Sequence, residues 1–241
     1  MELPDQENSG HYIVAIDGVS GSGKSSTAKT VAKQLGILHL DTGAMYRAVT
    51  FLALEKGLKT TQIGEISDLA ESLAWHADPL GKLTVEGRDL SHDIRTAPVT
   101  AAVSDFARIP EVRHALVPIQ RRIGMRQPAV VEGRDMATVV FPDARFKFFM
   151  DASPEVRAQR RVRELISLNL PADYGEVLRN LLERDHKDSA REHSPLTLAP
   201  DAQVIDTSGL TFEGQVAIIV DRILKSLSSA PALTQKGKQA G

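Results

Sequence analysis

The amino-acid sequence predicts an α/β protein, a five-stranded and mostly parallel sheet with helices on both faces. Two observations predict it. Short β-branched apolar runs alternate with longer segments of helical period along the 241 residues. A glycine-rich loop, Gly18-Val19-Ser20-Gly21-Ser22-Gly23-Lys24-Ser25-Ser26, also sits between the first such run and the first helical segment.

The first strand is the apolar run 12–16, which ends in Asp17-Gly18. Ala28, Val31, Ala32 and Leu35 then recur at helical spacing, and Gly36 stops the helix. Residues 37–40 read as a second strand. Asp41-Thr42-Gly43 caps a helix that runs to about Glu55. Between residues 62 and 96 the character changes: a helix over 66–73 leads into strand-like pieces at 75–77, 83–85 and 88–90, separated by closely spaced turns. That spacing predicts a small antiparallel insert. Helices resume over 99–106 and 111–123, with Pro110 at a first helical position. Strands are expected at 129–132, 146–150 and 203–206, and helices from Ser153-Pro154 onward, over 174–184 and over 212–227. One folded unit over 11–227 is expected, with an inserted subdomain at about 60–100, a lid at about 154–195, and disordered stretches at 1–10 and 228–241.

The bulk numbers exclude several classes. A net charge of -2 argues against a coat for a nucleic-acid polymer. With no cysteine, disulfides and cysteine-based metal sites are excluded. No apolar run approaches the roughly 20 residues needed to span a bilayer. The acidic, polar opening is unlike a secretory signal. The reading expects a cytoplasmic monomer.

The glycine-rich loop satisfies G-x-x-x-x-G-K-[ST] between a strand and a helix, the context that gives the motif its meaning. Glycines let backbone N–H groups face phosphate oxygens, and the following helix presents its positive end. Lys24 is expected to bridge the β- and γ-phosphates of ATP, and the Ser25 hydroxyl to ligate Mg²⁺. Gly18, Val19, Ser20, Gly21, Ser22, Gly23 and Ser26 complete the cradle. A guanine-reading N-K-x-D segment is absent.

Three further constellations bear on the acceptor. In a doubly wound sheet, ligands sit at the carboxyl ends of the strands, so Asp41-Thr42-Gly43-Ala44-Met45-Tyr46-Arg47 lies beside the phosphate loop. Glu132-Gly133-Arg134-Asp135 ends another apolar strand, where Arg134 can reach a phosphate bidentately. Glu86-Gly87-Arg88-Asp89 has the same letters but lies in the insert and reads as a hairpin turn. Arg157, Arg160, Arg161, Arg163, Arg184 and Arg191 make an arginine-rich set suited to a lid that excludes water and neutralises phosphoryl charge. Helical charge pairing alone accounts equally well for Arg161 or Arg163.

These motifs together resemble the bacterial cytidylate kinases, members of the nucleoside monophosphate kinase group. The resemblance rests on the phosphate loop, on the Leu40 to Arg47 segment, on Glu132-Gly-Arg-Asp-Met-Ala-Thr-Val-Val-Phe-Pro-Asp143, and on Glu183-Arg-Asp…Asp188…Arg191 followed by Pro195-Leu196. It implies that Thr42, Ser104, Arg113 and Asp135 surround a cytosine ring, and that Tyr46, Arg47 and Arg134 hold the acceptor phosphate. It further implies that Arg184, Asp188 and Arg191 touch the nucleotide sugar and phosphate from the lid; Arg157 and Arg160 of the arginine-rich set are expected to contact ATP. Lys24, Arg134, Arg184 and Arg191 would then carry the transfer from Mg²⁺-ATP to CMP or dCMP. Two residues depart from the family pattern: Thr42 stands where Ser is common and keeps the hydroxyl, and Glu132 stands where Asp is common. The rivals are a P-loop kinase for a small hydroxylated metabolite and a nucleotide-binding module without catalysis.

Overall fold

The computed structural model describes residues 11–78 and 81–229. Seven strands and eight α-helices are described: β1 (Ile13–Gly18), α1 (Lys24–Leu35), β2 (Leu38–Asp41), α2 (Thr42–Glu55), α3 (Ile63–Ser72), β3 (Trp75–Ala77), β4 (Leu83–Val85), α4 (Ala97–Phe106), α5 (Pro110–Gly124), β5 (Ala129–Glu132), β6 (Phe146–Asp151), α6 (Pro154–Ser167), α7 (Tyr174–Ser189), β7 (Gln203–Asp206) and α8 (Phe212–Ser229). The main sheet has the order β2-β5-β1-β6-β7, and all its pairings are parallel. Parallel strands need helical crossovers, so apolar faces arise on both sides of the sheet.

The alternation along β1 shows how the two cores form. Ile13 and Ala15 face one side, with Leu40, Val131, Met45, Val49 and Leu116. Val14 and Ile16 face the other, with Phe148, Val31 and Ile219 from β6, α1 and α8. All six residues of β1 are buried, as a central strand requires.

The expected insert is a two-stranded antiparallel hairpin, β3–β4, packed with α3. The strand expected at 88–90 is reduced to a single antiparallel bridge, Arg88 with Val85. Arg88 N–H donates to the Val85 carbonyl at 2.8 Å across a tight turn in which Glu86 and Gly87 both take positive φ, so the backbone reverses there. Arg88 pairs with Glu55 at 3.3 Å, a structural use. Of the hairpin's own turn, Pro79 and Leu80 lie outside the described residues. Gly81, at φ +87°, rests against the main-chain carbonyl of His39 in β2.

The stretch 1–10 expected to be disordered lies outside the described residues, as does 230–241. Residues 228 and 229 correct that expectation: α8 runs on to Ser229, whose hydroxyl, like that of Ser228, donates to a carbonyl one turn back. Periodicity missed a short 3₁₀ turn at Asp93–Arg95 and a π-helical turn at Met136–Val140.

Candidate active site

The phosphate loop joins the carboxyl end of β1 to the first turn of α1. Gly18 must be glycine, because a Cβ there would fall on the Met150 carbonyl of β6. Gly23 caps α1 in the left-handed region at φ +89°. The loop closes on itself. Ser22 Oγ donates to Val19 O at 3.0 Å, and Ser26 Oγ to Gly23 O at 2.9 Å. Lys24 Nζ donates to Val19 O at 3.1 Å. The first amides of α1 have no intrahelical acceptor, so they are suited to an anion. Burial, together with Arg134 nearby, holds the Lys24 ammonium down to about 7.

Glu132 ends β5 and links the loop to β2. Its Oε2 accepts from Ser25 Oγ at 2.6 Å, and its Oε1 lies 3.1 Å from His39 Nε2. Burial opposes ionisation, but the bond to His39 and the charge of Lys24 hold the carboxyl below the usual carboxylate range. The Glu132 carbonyl accepts from the Thr42 hydroxyl at 2.6 Å, so Thr42 is fixed where β2 enters α2. Asp41 caps α2 by accepting from Ala44 N–H at 2.9 Å. Beneath the site, buried Asp17 accepts from the N–H groups of Met136 and Ala137 at 2.9 and 2.8 Å. Burial pushes the Asp17 carboxyl up to about 6 against those two bonds.

The π-helical turn that follows sets Asp135 in place. Arg121 holds it by donating to Val140 O and Val139 O at 2.8 and 2.7 Å. Asp135 forms a buried ion pair with Arg113 of α5, and the Arg113 guanidinium lies 5.4 Å from the Tyr46 ring centroid. Burial pushes Asp135 up, and Arg113 and Arg191 oppose that push. Ser104 of α4 is buried.

Arg134 Nε donates to Asp188 at 2.8 Å, and Asp188 also pairs with Arg191. Although burial opposes it, the two guanidinium groups hold Asp188 below its usual range. Arg47 donates to Ile94 O at 3.2 Å and to Thr100 Oγ1 at 3.0 Å. Burial, then the like charges of Arg134 and Arg47, lower Arg184 to about 10. Such crowding of cations favours the arrival of a multiply charged anion.

The expected residues thus fall into one region, at the carboxyl ends of β1, β2 and β5 and under α7. Arg157 and Arg160 are set differently from the rest. Arg157 is buried, and its Nη1 donates to Ser20 O at 2.9 Å and to Asp185 at 2.5 Å. Arg160 donates to Thr207 O at 2.5 Å and to Thr207 Oγ1 at 3.0 Å, while that hydroxyl donates to Ser22 O at 3.1 Å. Both brace the loop through its backbone. Sequence reasoning missed Asp17, His39 and Asp185. Asp17 carried a signal as the acidic residue closing an apolar strand directly before the loop, and Asp185 as part of the Glu183-Arg-Asp motif, whereas His39 carried none.

Gly133 packs the two halves together. A Cβ there would come within 2.7 Å of both Thr42 Oγ1 and the Met136 side chain. Gly133→Ala is therefore expected to displace Thr42 and raise the KM of the acceptor about tenfold, with ATP KM within about twofold of the parent. Steady-state kinetics with each substrate varied in turn checks this.

The comparisons with known proteins give the family. The family model described as cytidylate kinase matches residues 14–226. A cytidylate kinase of Clostridium acetobutylicum is 43% identical over 89% of this chain and 98% of its own length. One from Streptococcus thermophilus is 46% identical over 88% of this chain and 96% of its own. One from Clostridium tetani is 41% identical over 94% of this chain and 97% of its own.

Proposed function

The chain belongs to the cytidylate kinase family, and from that premise we infer how its residues carry ATP-dependent phosphorylation of CMP to CDP. The observation that carries this reading is the buried Arg113–Asp135 pair, one residue beyond Arg134, on the segment whose Glu132 carbonyl holds the Thr42 hydroxyl. An Asp and a hydroxyl accept from an exocyclic amino group, which cytosine has and uracil lacks. The insert packed beside α2 and the Arg184 to Arg191 set, with Asp188 between them, favour a nucleotide acceptor over a small hydroxylated metabolite.

The phosphate groups of the two substrates would meet between the loop and the guanidinium set. Lys24, released from Val19 O, would follow the β- and γ-phosphates. Arg47, Arg134, Arg184 and Arg191 would orient the CMP phosphate and offset charge on the phosphoryl group in flight. That phosphate is already anionic near neutral pH, so the attacking oxygen needs no general base.

The donor set near the loop fits Mg²⁺. Ser25 Oγ and Glu132 Oε2 are hard oxygens 2.6 Å apart, and Mg²⁺ is held by one or two protein oxygens plus phosphate and water. Among the described residues no group of three or more His, Cys, Asp or Glu gathers at one point, which suits an ion that arrives with the nucleotide. Ser25 would ligate it and Glu132 would orient that hydroxyl. Bound there, the ion would supply neutralisation of phosphate charge during the transfer.

Free nucleotide substrates support a cytoplasmic location. Among the described residues, no helix is long and apolar enough to cross a membrane.

The test is ADP release measured across CMP, dCMP, UMP, AMP and GMP. CMP and dCMP should be turned over well. The kcat/KM for UMP is expected to be about 5- to 150-fold lower, the equivalent of about 1–3 kcal/mol for an unpaired buried acceptor. Equal use of UMP would overturn the base-reading role of Asp135 and Thr42.

A further inference from the structure

Asp185 stands outside every role described so far, yet it makes the most direct link between the two halves of the site. It lies on α7, one residue after Arg184, and its carboxylate is shared. One oxygen accepts from the Ser20 backbone N–H of the phosphate loop at 3.1 Å. The other accepts from Arg157 of α6 at 2.5 Å. Arg157 closes the triangle by donating to Ser20 O at 2.9 Å, so both polar groups of Ser20's backbone are gripped by the lid helices. Leu181, one turn earlier on α7, lines the same contact: a Cβ on Gly21 would meet Arg157 Cβ at 3.4 Å and Leu181 Cδ2 at 3.5 Å. The helices therefore clasp the outer face of the loop and leave its inner face open to phosphate.

Helix geometry turns that clasp into a positioning device. Residues 184 and 188 are four apart, so they share one face of α7, Arg191 follows just beyond the helix end and pairs back to Asp188, and Asp185 is about 100° round from Arg184. Fixing Asp185 to the loop sets both the rotation and the register of α7. Those two quantities decide where Arg184, Asp188 and Arg191 stand, and Asp188 in turn holds Arg134 at 2.8 Å. Asp185 also faces Arg134 and Arg184 electrostatically, so it touches the charge of the acceptor side as well.

We propose that Asp185 is a positioning residue that ties the phosphate loop to α7, so that ordering of the loop by ATP is passed to the CMP site. This rests on the assignment of the two substrate sites given above. Coupling of this kind is reciprocal: each nucleotide must tighten the other by the same factor.

The experiment is calorimetric titration of CMP into the full chain, with and without a non-hydrolysable ATP analogue and Mg²⁺, for the parent and for Asp185→Asn. The amide keeps an oxygen for Ser20 N–H but loses the ion pair with Arg157. In the parent, the analogue is expected to tighten CMP about fivefold or more, within the usual range of coupling between sites. In Asp185→Asn that factor should fall below about twofold with the Kd for CMP alone close to the parent value, while the melting temperature drops by several degrees because Arg157 is left buried without its counter-charge. Asp185→Glu, which restores the charge, should recover part of the factor. A coupling factor that is the same in Asp185→Asn as in the parent, or absent from the parent, would overturn the proposal. Failure of CMP to bind the parent at all would instead sink the acceptor assignment, so the two failures are distinct.

Discussion

Lys24→Ala is expected to lower kcat by about two to three orders of magnitude, the usual cost of removing a donor aimed at charge that develops in the transition state. The fold should survive intact, for a reason visible in the unliganded loop. Lys24 is buried, it bonds only to Val19 O among the described hydrogen bonds, and burial holds its ammonium down to about 7. A charge kept under such conditions serves the ligand at some cost to the folded chain, so alanine removes a desolvation penalty along with a hydrogen bond. The thermal melt should therefore shift little, and CMP should still bind. Stopped-flow or coupled kinetics beside a circular-dichroism melt gives both readings. Near-parent turnover would show that phosphoryl charge is neutralised elsewhere.

The second large effect is on stability. Asp135→Ala is expected to destabilise the protein by about 3–5 kcal/mol, because it leaves the Arg113 guanidinium buried without its counter-charge. For a chain of this size that corresponds to a melting temperature lower by roughly 10 °C. Arg191 and the Tyr46 ring remain near the orphaned group, and only the ring is attractive to it. The double variant Arg113→Met/Asp135→Leu should regain most of the lost stability, since an apolar pair of similar volume avoids the desolvation cost altogether. It should not regain CMP binding. That split separates the pair's place in the fold from its place in the site, and differential scanning calorimetry with a CMP titration reads it. Full CMP affinity in the double variant would remove Asp135 from the acceptor pocket.

The parts of this arrangement that local sequence determines were legible from it. The strands at Ala129–Glu132 and Gln203–Asp206 end where the apolar runs end, and Ser153 and Asp173 cap α6 and α7 by accepting from Val156 and Glu176 N–H. The phosphate loop was legible because its spacing and its flanking elements state one geometry. Partners far apart in the chain were not. Asp17 finds Met136 and Ala137 more than a hundred residues away, and Asp185 finds Ser20 across a similar gap, so no window of sequence contains either bond. The π-helical turn at Met136–Val140 was hidden for a related reason: Arg121 of α5 and Asp17 of β1 hold it from opposite ends, and its own letters read as one more apolar run. The strand expected at 88–90 shrank to one bridge between Arg88 and Val85, because Asp89 turns at once to accept from Ser91 N–H and the pairing goes no further.

The resting place of Gly81 has a consequence for solubility. β2 is the outermost strand on its side of the sheet, and Leu38 spends its N–H on Pro128 O toward β5, so His39, one residue on, turns its main-chain groups away from the sheet. Open main-chain groups of that kind are a template on which another polypeptide can add a strand. The reversal at Gly81 sits directly over the His39 carbonyl and blunts that margin. A strand arriving along that margin would meet the hairpin at His39.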